Sequence, residues 1–383
     1  MSRHTERPST ALRFLLPALA AVLFPVLMRA QSVTASDALA LEQQGKLEEA
    51  AQAWRTVTQQ NPQDAGAFAS LGVVLSKEQK YAEAAAAYRK AIALNRDLPG
   101  VQLNLGLAEF KQEHFSAAID PLRAALAADP QSFQATLLLG LSCYGAKRFE
   151  DAATYLGRAA AIDKNNAELH RMLAQSCLLS KKYSCALDEF RSLQELDPNS
   201  YAVHMFTGEA LDGEGKPDEA IAEFLKALQL APKEPGLNFG LGYLYWKTHR
   251  YEQAVASFEA ELAIDPRSAQ ALTYLGDIAM KNEDPEKALA LLRKATQLQN
   301  DIRLAYLDMG SILVDQKRYA EAIEALNRAV QLDPTQPDAH FRLGRVYKLT
   351  GKDAAAEKEF AKVRELKQKE DDLTSKMGKS PSS

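Results

Sequence analysis

The side chains in this 383-residue sequence best suited to chemistry are histidines, cysteines and scattered acids, and several recur at one interval. His170 and His204 stand 34 residues apart, and His340 lies four such intervals beyond His204. Cys143 and Cys177 share the interval, with Cys185 eight residues further on. Zinc needs three or four such ligands about 2 Å from one ion. Equivalent residues on successive packed helices are separated by about 10 Å or more, too far to share a metal without distortion. No metal site is therefore expected, and the histidines read as helix-face residues. The cysteines allow two readings: a Cys177–Cys185 bridge in an oxidising compartment, or buried free thiols. The second is favoured, because free cysteine is among the most buried residue types. Glu209, Asp212 and Asp277 could meet in a groove, but carboxylates are ordinarily solvated. No nucleophile–base pair and no Gly-rich phosphate loop occurs, so neither catalysis nor a cofactor is expected.

The interval has a structural origin. Written from Gln31 in steps of 34, the chain makes ten lines that reach Glu370 without insertion or deletion, starting at 31, 65, 99, 133, 167, 201, 235, 269, 303 and 337. Position 20 of the unit is alanine in every line, from Ala50 to Ala356. Position 8 is Gly or Ala, as in Gly72, Gly242 and Gly310, and position 24 is large and apolar, as in Tyr88, Phe258 and Leu326. Proline fills position 32 at 62, 130, 198, 232, 266 and 334. Apolar residues at positions 4, 7, 8 and 11 share one helical face, and those at 20, 24 and 27 share another. The small residues let two antiparallel helices approach, the large one fills the space beside them, and proline stops the second helix. One hairpin cannot bury both faces, whereas stacked neighbours can.

The unit resembles the tetratricopeptide repeat (TPR), whose pattern is met by Leu241-Gly242, Tyr245, Ala254, Phe258 and Pro266. The resemblance covers residues 31–370 and implies an all-α, right-handed superhelical solenoid of about ten 34-residue helix-turn-helix repeats. The opening aromatic position is mostly polar (Thr136, His170, His204, Asn238), and Asp37 stands where other units usually have Leu, which weakens the first helix of repeat one. In this family the first helix of each unit lines a concave groove through positions 2, 5, 6, 9, 12 and 13. Carried over, these give Leu103, Asn104, Leu107 and Phe110 in repeat three, then Leu137, Leu141 and Tyr144 in repeat four. Arg171, Met172 and Gln175 follow in repeat five, Met205, Phe206 and Glu209 in repeat six, Phe239 and Trp246 in repeat seven, and Tyr274 and Asp277 in repeat eight. The face is apolar and aromatic where solvent would call for polar groups, which marks either an interaction surface or packing onto neighbouring helices; the former is favoured. The Lys/Asn set by which some members hold a partner's terminal carboxylate is absent. Arg342, Arg345 and Lys348 share one face of repeat ten, a cluster that reads first as solvation of an end repeat.

Both ends differ from the array. Arg3, Arg7 and Arg13 precede an uncharged apolar run at 14–28 and the small-residue stretch "RAQSVTAS", the layout of a secretory signal peptide over 1–30. That run has 15 residues, against the ~20 that span a bilayer. Residues 371–383 read as a disordered polar tail. A net charge of −4 argues against a nucleic-acid partner. The expected function is a non-enzymatic, exported (periplasmic or secreted) scaffold that holds a protein or peptide segment in its groove. The alternative is a membrane-anchored assembly or secretion component, tethered by an uncleaved N-terminal helix.

Overall fold

The computed structural model describes residues 33–377, with side chains to Asp372; the expected signal peptide at 1–30 and residues 378–383 lie outside the described residues. Among the described residues there are twenty helices and no strand. They fall into two compact units, divided after Ala108. The first holds α1 (Ala35–Gln43), α2 (Leu47–Gln60), α3 (Ala65–Lys77), α4 (Tyr81–Leu94) and the start of α5 (Val101–Lys111). The second continues with α6 (Phe115–Ala128), α7 (Phe133–Gly145), α8 (Phe149–Ala160), α9 (Ala167–Leu179), α10 (Tyr183–Leu196), α11 (Tyr201–Gly213), α12 (Pro217–Leu230) and α13 (Leu237–Lys247). It ends with α14 (Tyr251–Ile264), α15 (Ala269–Lys281), α16 (Pro285–Leu298), α17 (Arg303–Asp315), α18 (Tyr319–Leu332), α19 (Pro337–Leu349) and α20 (Asp353–Met377).

Each boundary has a local cause. The residue before a first helix is its N-cap: Asp64, Ser132, Asn166 and Ser268 each accept the backbone N–H three residues on. Asp37 does not weaken α1 as expected. It closes a capping box with Thr34, so the position has exchanged a core leucine for a cap. Second helices stop at a non-helical residue such as Asn61 or Asp333, each followed by proline. Asn95 and Gln299 are extended with no proline after them, so proline reinforces the stop and is not required for it.

The turn inside each hairpin puts position 15 in the left-handed region, with φ near 60° at Lys147, Lys181 and Lys317 and 72–78° at Gly45, Gly215 and Gly351. Around Gln79, the N–H groups of Gln79 and Lys80 donate to the Ser76 and Leu75 carbonyls, which closes the helix end. A side chain in that conformation costs about 1–3 kcal/mol, so Lys317→Gly should stabilise the array by about 1 kcal/mol after the glycine's extra chain entropy. Chemical denaturation measures this directly.

The hairpin core follows the repeat. Ala84, Ala152, Ala220, Ala288 and Ala322 are fully buried. A Cβ on Gly242 would lie 2.8 Å from the Phe258 ring, and one on Gly310 would lie 2.6 Å from Leu326. Glycine at position 8 is the space into which the position-24 side chain packs.

Two expectations are corrected. Cys177 and Cys185 are bridged, not free: the α9–α10 hairpin brings their Cα atoms to 5.8 Å, inside disulfide reach. Cys177 occupies a core position, so burial alone favoured a thiol, but positions 11 and 19 are direct neighbours across the hairpin. Cys143, opposite Asp151 at the matching position, stays free, and burial pushes its thiol up to about 11. The second correction concerns the tail. Helix α20 runs through Met377, so residues 371–377 are helical where no structure was expected.

Candidate partner-binding groove

In the second unit, successive first helices touch each other directly, α13 with α15, α15 with α17 and α17 with α19, in addition to packing within hairpins. The first helices therefore lie on the inside of its curvature, and the candidate residues face one another across adjacent repeats. In the first unit, Asn104 and Leu107 line a cavity of about 230 Å³ with Val73, Ser76, Lys77 and Tyr88. Leu103 is half-buried there.

Several candidates are tied to each other and so are less open than the sequence reading supposed. The Tyr144 hydroxyl donates to Gln175 Oε1 at 2.9 Å, and Trp246 Nε1 donates to Asp277 Oδ2 at 2.5 Å. Both bonds join position 12 of one repeat to position 9 of the next. Phe239, Trp246 and Tyr274 form one aromatic cluster, with Trp246 and Tyr274 centroids 4.9 Å apart. Phe110 packs edge-on to Phe115, and Phe206 stacks on Phe190 of the preceding hairpin. Asp277 is 3% exposed and also accepts from Lys281, so it is a packing residue, not one open to a guest. The reason is the curvature: where first helices approach, position 12 of one repeat meets position 9 of the next.

What stays accessible is a strip of half-buried Leu137, Leu141, Met172, Met205 and Phe206, with Arg171 and Glu209 exposed beside it. Arg171 pairs with Glu168 on its own helix. Glu209 is open to water yet crowded by the surrounding wall, which desolvates its carboxylate and raises its pKa. Accessible and desolvated together is what a concave surface does to a charge. Leu179, at position 13 of repeat five, is the most exposed apolar side chain on this strip and was not among the residues carried over, although position 13 is one of the groove positions.

The histidines have a role that their spacing alone did not reveal. His170, His204 and His340 each place Nδ1 2.5–2.6 Å from a glutamate on the partner helix, namely Glu189, Glu223 and Glu359. Position 23 is Glu in these three repeats and in no other, so the pairing was legible as a joint pattern. Burial acts against the His170 imidazolium, but the Glu189 bond and the Lys164 carbonyl outweigh it and raise the pKa. Burial likewise acts against the Glu223 carboxylate, and bonds from His204 and Lys226 outweigh it, lowering its pKa. Among the described residues no group of three or more His, Cys, Asp or Glu side chains could hold a metal.

One tetratricopeptide-repeat family model matches residues 37–99, 103–168 and 239–301, a second matches 144–209 and 213–260, and a TPR-repeat model matches 310–351. The chain belongs to the tetratricopeptide repeat family. As a TPR protein it resembles Cut9 in the APC/C hetero-tetramer Cut9–Hcn1 at 14% identity, over 86% of this chain and 80% of that one, with a TM-score of 0.52. It also matches MamA at 25% identity over 43% of this chain and 96% of that one, TM-score 0.38. Yeast Tom70 matches at 15% identity over 86% and 91%, TM-score 0.43. The Cut9 likeness is one of fold alone. No curated protein matches the chain. TPR proteins are generally non-enzymatic scaffolds, and the fold suggests protein–protein interaction.

Proposed function

We propose that this TPR protein is a non-enzymatic, exported scaffold that captures an extended protein segment along the concave strip of repeats four to six. The observation that carries the reading is the apolar strip of Leu141, Met172, Met205 and Phe206, flanked by Arg171 and the desolvated Glu209. Burying a partner's apolar side chains there supplies affinity, and the two charges set its register. Export is supported by the charged and apolar layout of residues 1–30 and by the Cys177–Cys185 bridge, which persists in oxidising compartments. No described helix is long and apolar enough to cross a membrane.

Co-purification from the native host, with partners identified by mass, tests the reading. The Arg171→Glu/Glu209→Lys double variant should lose captured partner by about tenfold with unchanged thermal stability, because both side chains are exposed. Undiminished capture would move the site elsewhere. N-terminal sequencing should find a mature chain beginning near residue 31. A chain still beginning at Met1 would make residues 14–28 a tether, as in the membrane-anchored alternative.

A further inference from the structure

Repeat ten, the last among the described residues, leaves open a face that repeats seven to nine cover. In repeat seven, positions 5 and 12 meet the first helix of the next unit: Phe239 lies 5.9 Å from Tyr274, and Trp246 donates to Asp277. Leu307, at position 5 of repeat nine, is 5% exposed under α19. Among the described residues no further first helix follows repeat ten. Phe341, at position 5, is 47% exposed. Arg345 at position 9 is exposed, with no side-chain partner among the described residues, and Lys348 at position 12 pairs with the exposed Asp353.

The second helix of the same repeat is closed. Positions 21 and 28, which carry the apolar Ile323 and Val330 in repeat nine, are Glu357 and Arg364 in α20, and these pair with each other at 2.6 Å. The charge on α20 blocks a further complete hairpin. The apolar and basic edge of α19 remains, one helix wide.

We propose that this edge of α19 docks an amphipathic helix from a partner, bearing an aromatic or large apolar side chain and, three residues on, an acid. The inner repeats fix that spacing. Position 6 of a following helix meets position 5, as Tyr274 meets Phe239, and position 9 meets position 12, as Asp277 meets Trp246. On α19 those partners are Phe341 and Lys348, with Arg345 between them. Charge complementarity excludes the basic, apolar N-terminal stretch of this chain as the occupant, since its Arg3, Arg7 and Arg13 would face Arg345 and Lys348. This edge lies outside the strip of repeats four to six, so the two sites stand or fall separately.

The chain supplies its own probe. A side-chain-stapled helical peptide with the sequence of residues 268–282 presents Tyr274 and Asp277 at the required spacing. Fluorescence polarisation should show it saturating on the full chain. Phe341→Ser and the Arg345→Glu/Lys348→Glu pair should each weaken binding by about tenfold or more, as truncation at an interface anchor does. These side chains are solvent-facing, so circular dichroism should be unchanged. A peptide carrying D277K should bind the native chain poorly and recover on the charge-reversed chain. No saturable binding, or binding insensitive to Phe341 and to both charge reversals, overturns the proposal. The Arg171→Glu/Glu209→Lys variant should bind this probe normally; if it alone loses the peptide, the probe is seated in the other groove and the edge is not a docking site.

Discussion

Asp308→Asn should make the protein more stable at pH 8, by up to about 4 kcal/mol from the linkage of its pKa to folding. Asp308 is buried on α17 with Oδ2 unpartnered. Burial first, then the neighbouring Asp277, pushes its carboxyl up to about 7, against the pull of Arg342 and Lys281, with Asp338 adding to the rise. A raised folded-state pKa means that the folded chain holds a proton the unfolded chain has released. Stability from this group is therefore greatest below about pH 4 and falls as pH rises towards 7, with no further loss above that. The amide removes the titration, so native and variant curves of stability against pH should diverge between pH 4 and 7 and run parallel above. Parallel curves throughout would mean that Asp308 is not the titrating group.

Trp246→Ala should destabilise the array by about 3 kcal/mol, at the lower end of the range for deleting a packed aromatic because the indole is only half-buried. The change removes contacts to Tyr243 and Tyr274 and strands Asp277 Oδ2, whose bond from Nε1 is 2.5 Å. Leaving a buried carboxylate oxygen without its donor adds to the cavity term. From the sequence, Trp246 is a partner-facing residue whose loss should leave the fold intact. In the structure it belongs to the packing between repeats seven and eight, and a loss of partner on its replacement would reflect a loosened array. A Trp246→Phe variant should recover part of the stability by restoring the ring contacts without the hydrogen bond. Urea unfolding of the three proteins separates these contributions.

The array was legible because its determinants are local and periodic. Buried Ala322 and the Gly310–Leu326 contact repeat often enough to be read as positions of a unit. The Cys177–Cys185 bridge and the His–Glu pairs depend on which positions oppose each other across a hairpin, information that a single helical period does not carry. The groove was legible only in part. Which helix lines the inside follows from the repeat, but how closely successive first helices approach depends on the curvature of the stack. That closeness ties Tyr144 to Gln175 and Trp246 to Asp277 across adjacent repeats. Exposed Phe341 differs from Leu307 at the same position of repeat nine, which α19 covers, because among the described residues no further first helix covers α19 in turn.

The most direct test of the scaffold reading is site-specific photocrosslinking in the native host. A photoreactive residue would be placed at Met205 on the inner helix α11, or at Leu225 on the outer helix α12, which is equally free of polar partners and exposed. Capture of the same partner protein from position 205, with none from 225, is the predicted result. Adducts from 225 alone, or equal adducts from both, would contradict a concave binding groove.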